Sequence, residues 1–201
     1  MTVTIHRGLP VALRPQGAAL YWEAFGVKLG RVLGPQARAL AFLDRVIEAD
    51  QCLIAVDEGG ALLGLVGFKT THGSFAGGTW DDLRAIYGRW GGFWRGSVLW
   101  ALNREIENDR FLMDGICVAG AARGRGVGTA LLGAVYDEAA ARGYRSIRLD
   151  VIDSNARARA LYEREGFLPT KTERLGVLKH VFGFASSTTM VRPLTAARAS
   201  P

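Results

Sequence analysis

The stretch Arg123-Gly124-Arg125-Gly126-Val127-Gly128-Thr129 carries the densest chemical signal in the chain. It leaves an apolar, β-branched run and enters a helical period, so amides with no helical partner converge on one small loop. Glycines let a ligand approach that backbone, and two guanidinium groups join the positive end of a helix dipole. A pyrophosphate, whose spread negative charge needs many donors, is what such a corner binds. A tight turn that binds nothing is the competing reading. The spacing narrows the ligand. A Gly-x-Gly-x-x-Gly dinucleotide fingerprint fails, because Thr129 or Leu131 fills its third glycine position, and no Gly-x-x-x-x-Gly-Lys is present. Only Asp150, near the end of the next strand, keeps a dinucleotide open.

A second cluster follows, Asn155-Ala156-Arg157-Ala158-Arg159-Ala160-Leu161-Tyr162-Glu163-Arg164-Glu165-Gly166-Phe167. With the first it resembles the GNAT superfamily of N-acetyltransferases, whose signature Arg/Gln-x-x-Gly-x-Gly/Ala is met by Arg123, Gly126 and Gly128. The resemblance covers Leu112 to Phe167, and no residue-level match precedes Phe111. It implies acetyl-CoA as co-substrate, with Arg123, Gly124, Arg125, Gly126, Val127, Gly128 and Thr129 on the pyrophosphate. The backbone of Cys117 and Val118 would run along the pantetheine arm, Asn155 would touch that arm, and Tyr162 would reach the sulfur. Asn155 reads equally as a helix cap, and Tyr162 as a core ring.

The implied reaction is direct attack of a primary amine on the thioester in a ternary complex. A lysine-like amine is neutral in only about four molecules in ten thousand at pH 7, so a base or a desolvating pocket is needed. The Val118 N–H would stabilise the oxyanion, worth roughly 3 kcal/mol for a well-placed donor. Tyr162, with an ordinary pKa of about 10, would protonate the departing thiolate. Cys117, on an apolar strand, reads as packing rather than as an acyl carrier. Several family members place a glutamate where Leu112 stands here, so Asp114, on the same strand face by alternation, is the candidate base. Glu105 and a water relay compete, and Asp114 reads equally as a structural acid. Gly120 stands where many relatives carry proline. A non-catalytic acyl-CoA-binding or sensing module is the rival class, and a nicotinamide-dependent dehydrogenase a distant third. The acceptor, a small-molecule or peptide amine, stays open.

These residues need a scaffold, and 201 residues that are 49% hydrophobic and 22% charged suffice for one self-sufficient domain. No membrane span or secretory leader is legible, so a cytoplasmic protein is expected. Cys52 and Cys117 are not spaced as Cys-x-x-Cys and His6, His72 and His180 are scattered, so no metal is expected. The formal charge is +6, with 21 arginines among 25 basic residues, but acids and bases mix along the chain; this argues against nucleic acid and for a small anionic ligand.

Periodicity predicts a strand over 3–9, a helix after Pro10, a second helix from Pro35 to about Glu48, and a hairpin of Gln51–Val56 and Ala61–Lys69. Residues 71–110 form an insertion of two helices, the first capped by Thr79 or Asp81 with Leu83, Ile86, Tyr87 and Trp90 on its apolar face, broken at Gly91-Gly92. It holds four of the five tryptophans. These rings either pack the insertion onto the body, cover an apolar substrate as a lid, or form a homodimer interface. Then come strand Phe111–Val118, helix Val127–Arg142 ended by Gly143, strand Tyr144–Val151, a helix from Ser154 or Asn155 to Gly166, and strands Phe167–Arg174 and Lys179–Val191. The expectation is an α/β (α+β) domain over 1–192 with a flexible tail at 193–201. Its mixed, mostly antiparallel twisted sheet is flanked by helices and splayed at the strand Phe111–Val118.

Overall fold

The computed structural model describes residues 2–102, 110–176 and 179–194. In chain order the strands are β1 (Thr4–Arg7), β2 (Cys52–Val56), β3 (Leu62–Thr70), β4 (Gly73–Ser74), β5 (Phe111–Val118), β6 (Ser146–Ile152), β7 (Leu168–Arg174) and β8 (Ser186–Pro193). The helices are α1 (Arg14–Leu33), α2 (Gln36–Val46), α3 (Trp80–Leu102), α4 (Val127–Ala141), α5 (Ala156–Arg164) and the single turn α6 (Lys179–Phe182). One sheet runs in the order β1-β2-β3-β5-β6-β8-β7, with β4 paired to β3.

Every neighbouring pair is antiparallel except β5–β6. That parallel pair is registered at two positions, Phe111 with Ile147 and Leu112 with Arg148. Past Leu112 the two strands part, so the sheet opens in the middle. The expected splay is therefore present.

Alternation along β2 explains how helices cover both faces. Leu53 and Ala55 point into one core with Leu131, Leu132 and Val135 of α4. Cys52 and Ile54 point into the other with Leu43 of α2 and Leu20 and Tyr21 of α1. Burying a side chain such as Leu131 contributes roughly 1.5–3 kcal/mol, so the two layers stabilise the sheet on both faces where the β5–β6 pairing ends.

The insertion differs from expectation in three ways. Its helix breaks at Gly88 (φ 75°), not at Gly91-Gly92. After the break the chain doubles back, so that a Cβ on Gly92 would press on the backbone of Leu83 and Arg84, and one on Gly96 would run into the Trp80 ring. Gly91-Gly92 thus belongs to a close helix crossing, while the positive φ falls on a neighbouring glycine. Second, Leu83 and Tyr87 are buried and Tyr87 donates to the Leu33 carbonyl, but Trp90 is 87% and Trp100 75% exposed. The tryptophans do not bury themselves in the body. Third, Gly73–Ser74 adds a short strand that helical periodicity could not show.

Elsewhere the shifts are small. Lys179–Phe182 is a helical turn rather than the start of a strand, closed by Gly183 N–H donating to the Lys179 carbonyl at 2.9 Å with Phe182 buried. Pro193, expected in the tail, pairs with Ser146. No helix among the described residues is long and apolar enough to cross a membrane.

Candidate active site

β3 and β5 pair Gly67 with Gly115 and Phe68 with Met113, so Asp114 is left over as the extra residue of a β-bulge. Bulges re-aim side chains, and this one turns a carboxylate toward the place where β5 leaves β6. Close approach supports it from both sides: a Cβ on Gly67 would collide with Phe75, and one on Gly115 with the ring of Phe25 on α1. Ser74 on β4 donates to Asp114 Oδ2 at 2.7 Å. Burial pushes the Asp114 carboxyl above its ordinary range, while the Ser74 hydroxyl and the Lys69 ammonium pull it back. Tyr21 stands against the same group; burial, then Asp114 and Cys117, raises its phenol well above the usual value. Neither Ser74 nor Tyr21 was legible as a site residue. Tyr21 followed the apolar helical period of α1, and Ser74 gains its role only through the β3–β4 turn.

The splay itself is a cleft of about 240 Å³. Asp114, Asn155 and Tyr162 all line it, beside β5 residues Gly115 and Ile116 and β6 residues Leu149 to Ile152. Register decides what the β5 edge offers. Ala119 N–H donates to the Leu63 carbonyl at 2.9 Å and Val118 lies opposite Gly64, so alternation turns the Val118 N–H and C=O away from β3, toward the open side. The amide of Cys117 falls on the β3 side by the same alternation. Its buried thiol is pushed far above the ordinary value by burial and held protonated, as packing requires.

Tyr162 is 5% exposed, packs edge-on against Phe167 at 5.8 Å between centroids, and reaches the cleft from α5. Burial raises its phenol strongly, with Cys117 second, so it carries its proton at any working pH. Asn155 caps α5, its side chain accepting from Ala158 N–H at 3.1 Å, and also faces the cleft. The helix-cap reading of Asn155 is thus met, and the cap stands on the wall of the cleft.

Beyond the cleft, Gly124 (φ 78°) and Gly126 (φ 79°) adopt the left-handed conformation that lets the loop turn into α4. The amides of Gly126, Val127, Gly128 and Thr129 have no acceptor among the described residues. Val127 spends its side chain in the core, and a Cβ on Gly128 would sit 3.3 Å from Leu161, so this glycine brings α4 close to α5. Thr129 Oγ1 donates to Glu165 at 3.1 Å. Arg123 bonds the Val118 carbonyl at 3.0 Å through Nε and Glu23 at 2.8 Å through its terminal nitrogen. It ties the loop to β5 and α1, a job its spacing did not announce. Arg125 is exposed on the loop. This constellation fits a coenzyme with a diphosphate and an extended arm: unpaired amides at one end, an open strand edge along the middle, a phenol at the far end.

On the other side of Asp114 lies a second cavity of about 380 Å³ between α1, α2 and α3. Among the described residues, Asp114 is the one that lines both spaces. Glu105, the competing base, lies outside the described residues. Among the described residues no three His, Cys, Asp or Glu side chains are grouped to hold a metal ion.

Comparison with known proteins agrees with this geometry. A sequence model of the Acetyltransferase (GNAT) family matches residues 18–167. The histone acetyltransferase HPA2 and related acetyltransferase of Corynebacterium glutamicum superposes with a TM-score of 0.69 at 21% identity, covering 99% of this chain and 100% of that one. An N-acetyltransferase from Staphylococcus aureus Mu50 gives 0.64 at 16% identity, covering 94% and 100%. At these identities the likeness is one of fold. A mycothiol acetyltransferase from Beutenbergia cavernae is 52% identical over 48 residues, 24% of this chain and 16% of that relative's length.

Proposed function

The chain belongs to the GNAT acetyltransferase family, and from that premise we propose that it moves an acetyl group from acetyl-CoA to a primary amine by direct attack in a ternary complex. The observation that carries the proposal is the position of Asp114, the sole residue among those described that lines both the cleft at the splay and the second cavity. A base must stand where the two substrates meet.

Acetyl-CoA supplies the activated acyl group and a thiolate leaving group. The α4 amides from Gly126 to Thr129 bind its diphosphate, and the Val118 N–H, directed to the open edge, donates to oxygen as negative charge develops there. Asp114, ionised, takes the proton from the amine nitrogen as the C–N bond forms. Tyr162 donates its hydroxyl proton toward the sulfur as the C–S bond breaks. The raised phenol pKa does not defeat this step, because the burial that raises it acts on thiols too, as the neighbouring Cys117 exhibits.

The test is thiol release from acetyl-CoA with and without added amines. Amine-dependent release supports the reaction. Stabilisation by acetyl-CoA on heating, without turnover against any amine, would establish the binding or sensing module instead.

A further inference from the structure

We infer that the acceptor is a monoamine carried on a bulky aromatic or aliphatic body, and that the cavity beyond Asp114 is built to take that body. The inference rests on the acetyl-transfer reading above for its reaction but on this cavity's own lining for its substrate class.

The cavity has two unlike ends. At its floor, Asp114 is the only carboxylate among the described lining residues, with Lys69 close enough to act on its charge. One ammonium is accommodated there, and a second would meet a like charge. The walls that the helices supply are apolar: Leu29 from α1, Phe42 from α2, Leu83 and Leu99 from the two arms of α3. At the rim stand the indoles of Trp80 and Trp100, 45% and 75% exposed. Thr79, the hydroxyl nearest the rim, is already engaged by Asp82 through both its N–H (3.0 Å) and its Oγ1 (2.7 Å). The side of the cavity built by α1, α2 and α3 therefore offers mainly surface for burial, while the polar groups of the lining come from Lys69, Ser74 and Asp114 on the strands and from the Ala76–Thr79 segment before α3. A polyamine or an amino sugar would leave polar groups unpaired against these walls, which costs affinity. An apolar body instead gains contact area, and indole faces suit flat rings. The exposure of Trp100, unexplained by packing, is thereby accounted for.

The experiment measures kcat/KM at saturating acetyl-CoA for ethylamine through hexylamine, 2-phenylethylamine, spermidine and glucosamine. Expected is a rise of about fourfold per buried methylene, with 2-phenylethylamine at least tenfold above ethylamine. Trp100→Ala, at an exposed position that the fold does not need, contracts the ratio of phenylethylamine to ethylamine. Spermidine or glucosamine matching hexylamine, or no dependence on chain length, overturns the inference. If no amine turns over, hexylamine raising the Tm of the acetyl-CoA-bound protein upholds the cavity's preference while the reaction proposed above fails. No turnover and no shift overturns both.

Discussion

Ser74 Oγ lies 2.7 Å from Asp114 Oδ2, joining a two-residue strand to a bulge 40 positions away. Burial and this hydrogen bond act on the carboxyl in opposite directions, burial being the larger. Removing the hydroxyl leaves burial less opposed. Ser74→Ala is therefore expected to move the acid limb of the kcat/KM profile to higher pH, because the base must lose its proton to work. The same variant at pH 9, above that limb, should recover most of its turnover. A profile that does not move would place Ser74 outside the base's environment.

Asp114 should show a conflict between activity and stability. Its folded pKa lies above the ordinary 3.8, so folding favours the neutral form. Stability from that preference is complete below the unfolded pKa and is lost as pH rises through the folded one. At pH 7 the carboxylate is held where it is least comfortable. Asp114→Asn should lower kcat/KM by about 10²-fold or more, as expected for a general base, and raise the Tm at pH 7. The gain in Tm should shrink toward pH 4. A variant that loses Tm at pH 7 and keeps its activity would make Asp114 a structural acid.

Tyr162→Phe separates the acid from the core ring. The phenyl ring keeps the edge-on contact with Phe167 and loses only the hydroxyl that faces the cleft. Turnover is expected to fall by about 10²-fold with the KM for acetyl-CoA nearly unchanged. Steady-state kinetics against a fixed amine reads both numbers. Unchanged kcat would return Tyr162 to packing alone.

What the sequence made legible was local, and what it hid was made by distant segments meeting. The α4 corner was visible because glycines, arginines and a helix start are consecutive; Asn155 and Tyr162 were visible because one short helix fixes their spacing. Asp114 was placed on the right strand, but alternation could not reveal the bulge, which arises from Gly67 and Gly115 admitting Phe75 and Phe25 from elsewhere in the chain. Ser74 is an unremarkable serine until β4 folds back on β3. Periodicity assigns the break of α3 to the pair Gly91-Gly92, whereas Gly88 takes the positive φ. Three glycines in five residues are interchangeable to a propensity argument; only the helix crossing distinguishes the one that turns from those that are crossed.

Gly126, which caps α4, and Gly133 inside that helix should behave oppositely. Gly126 sits at φ 79° with open space around its Cβ position, so a side chain is opposed by backbone conformation rather than by collision. Gly126→Val costs the loop about 1–2 kcal/mol and re-aims the amides behind it, so the acetyl-CoA KM should rise at least tenfold. Gly133 lies inside the helix with ordinary φ and nothing near its Cβ position. Gly133→Ala should stabilise by about 0.5–1 kcal/mol, an increase of a few degrees in Tm, and leave that KM alone. If both variants move KM equally, the corner is not where the diphosphate sits.

Glu23 offers the last test, because it competes for a group the coenzyme would want. Its carboxylate holds the Arg123 guanidinium at 2.8 Å, with both side chains substantially exposed to solvent. Such an exposed pair is worth no more than about 1 kcal/mol, while a diphosphate brings more than one negative charge to the same neighbourhood. Glu23→Gln removes the competing anion without cutting the Arg123 bond to the Val118 carbonyl. The acetyl-CoA KM should fall by up to about fivefold, the most that 1 kcal/mol allows. Raising the ionic strength should erase most of the difference, since salt screens exposed charges. A KM that rises instead would mean that Glu23 serves the coenzyme by positioning Arg123 for the strand, and that the loop binds phosphate through its amides alone.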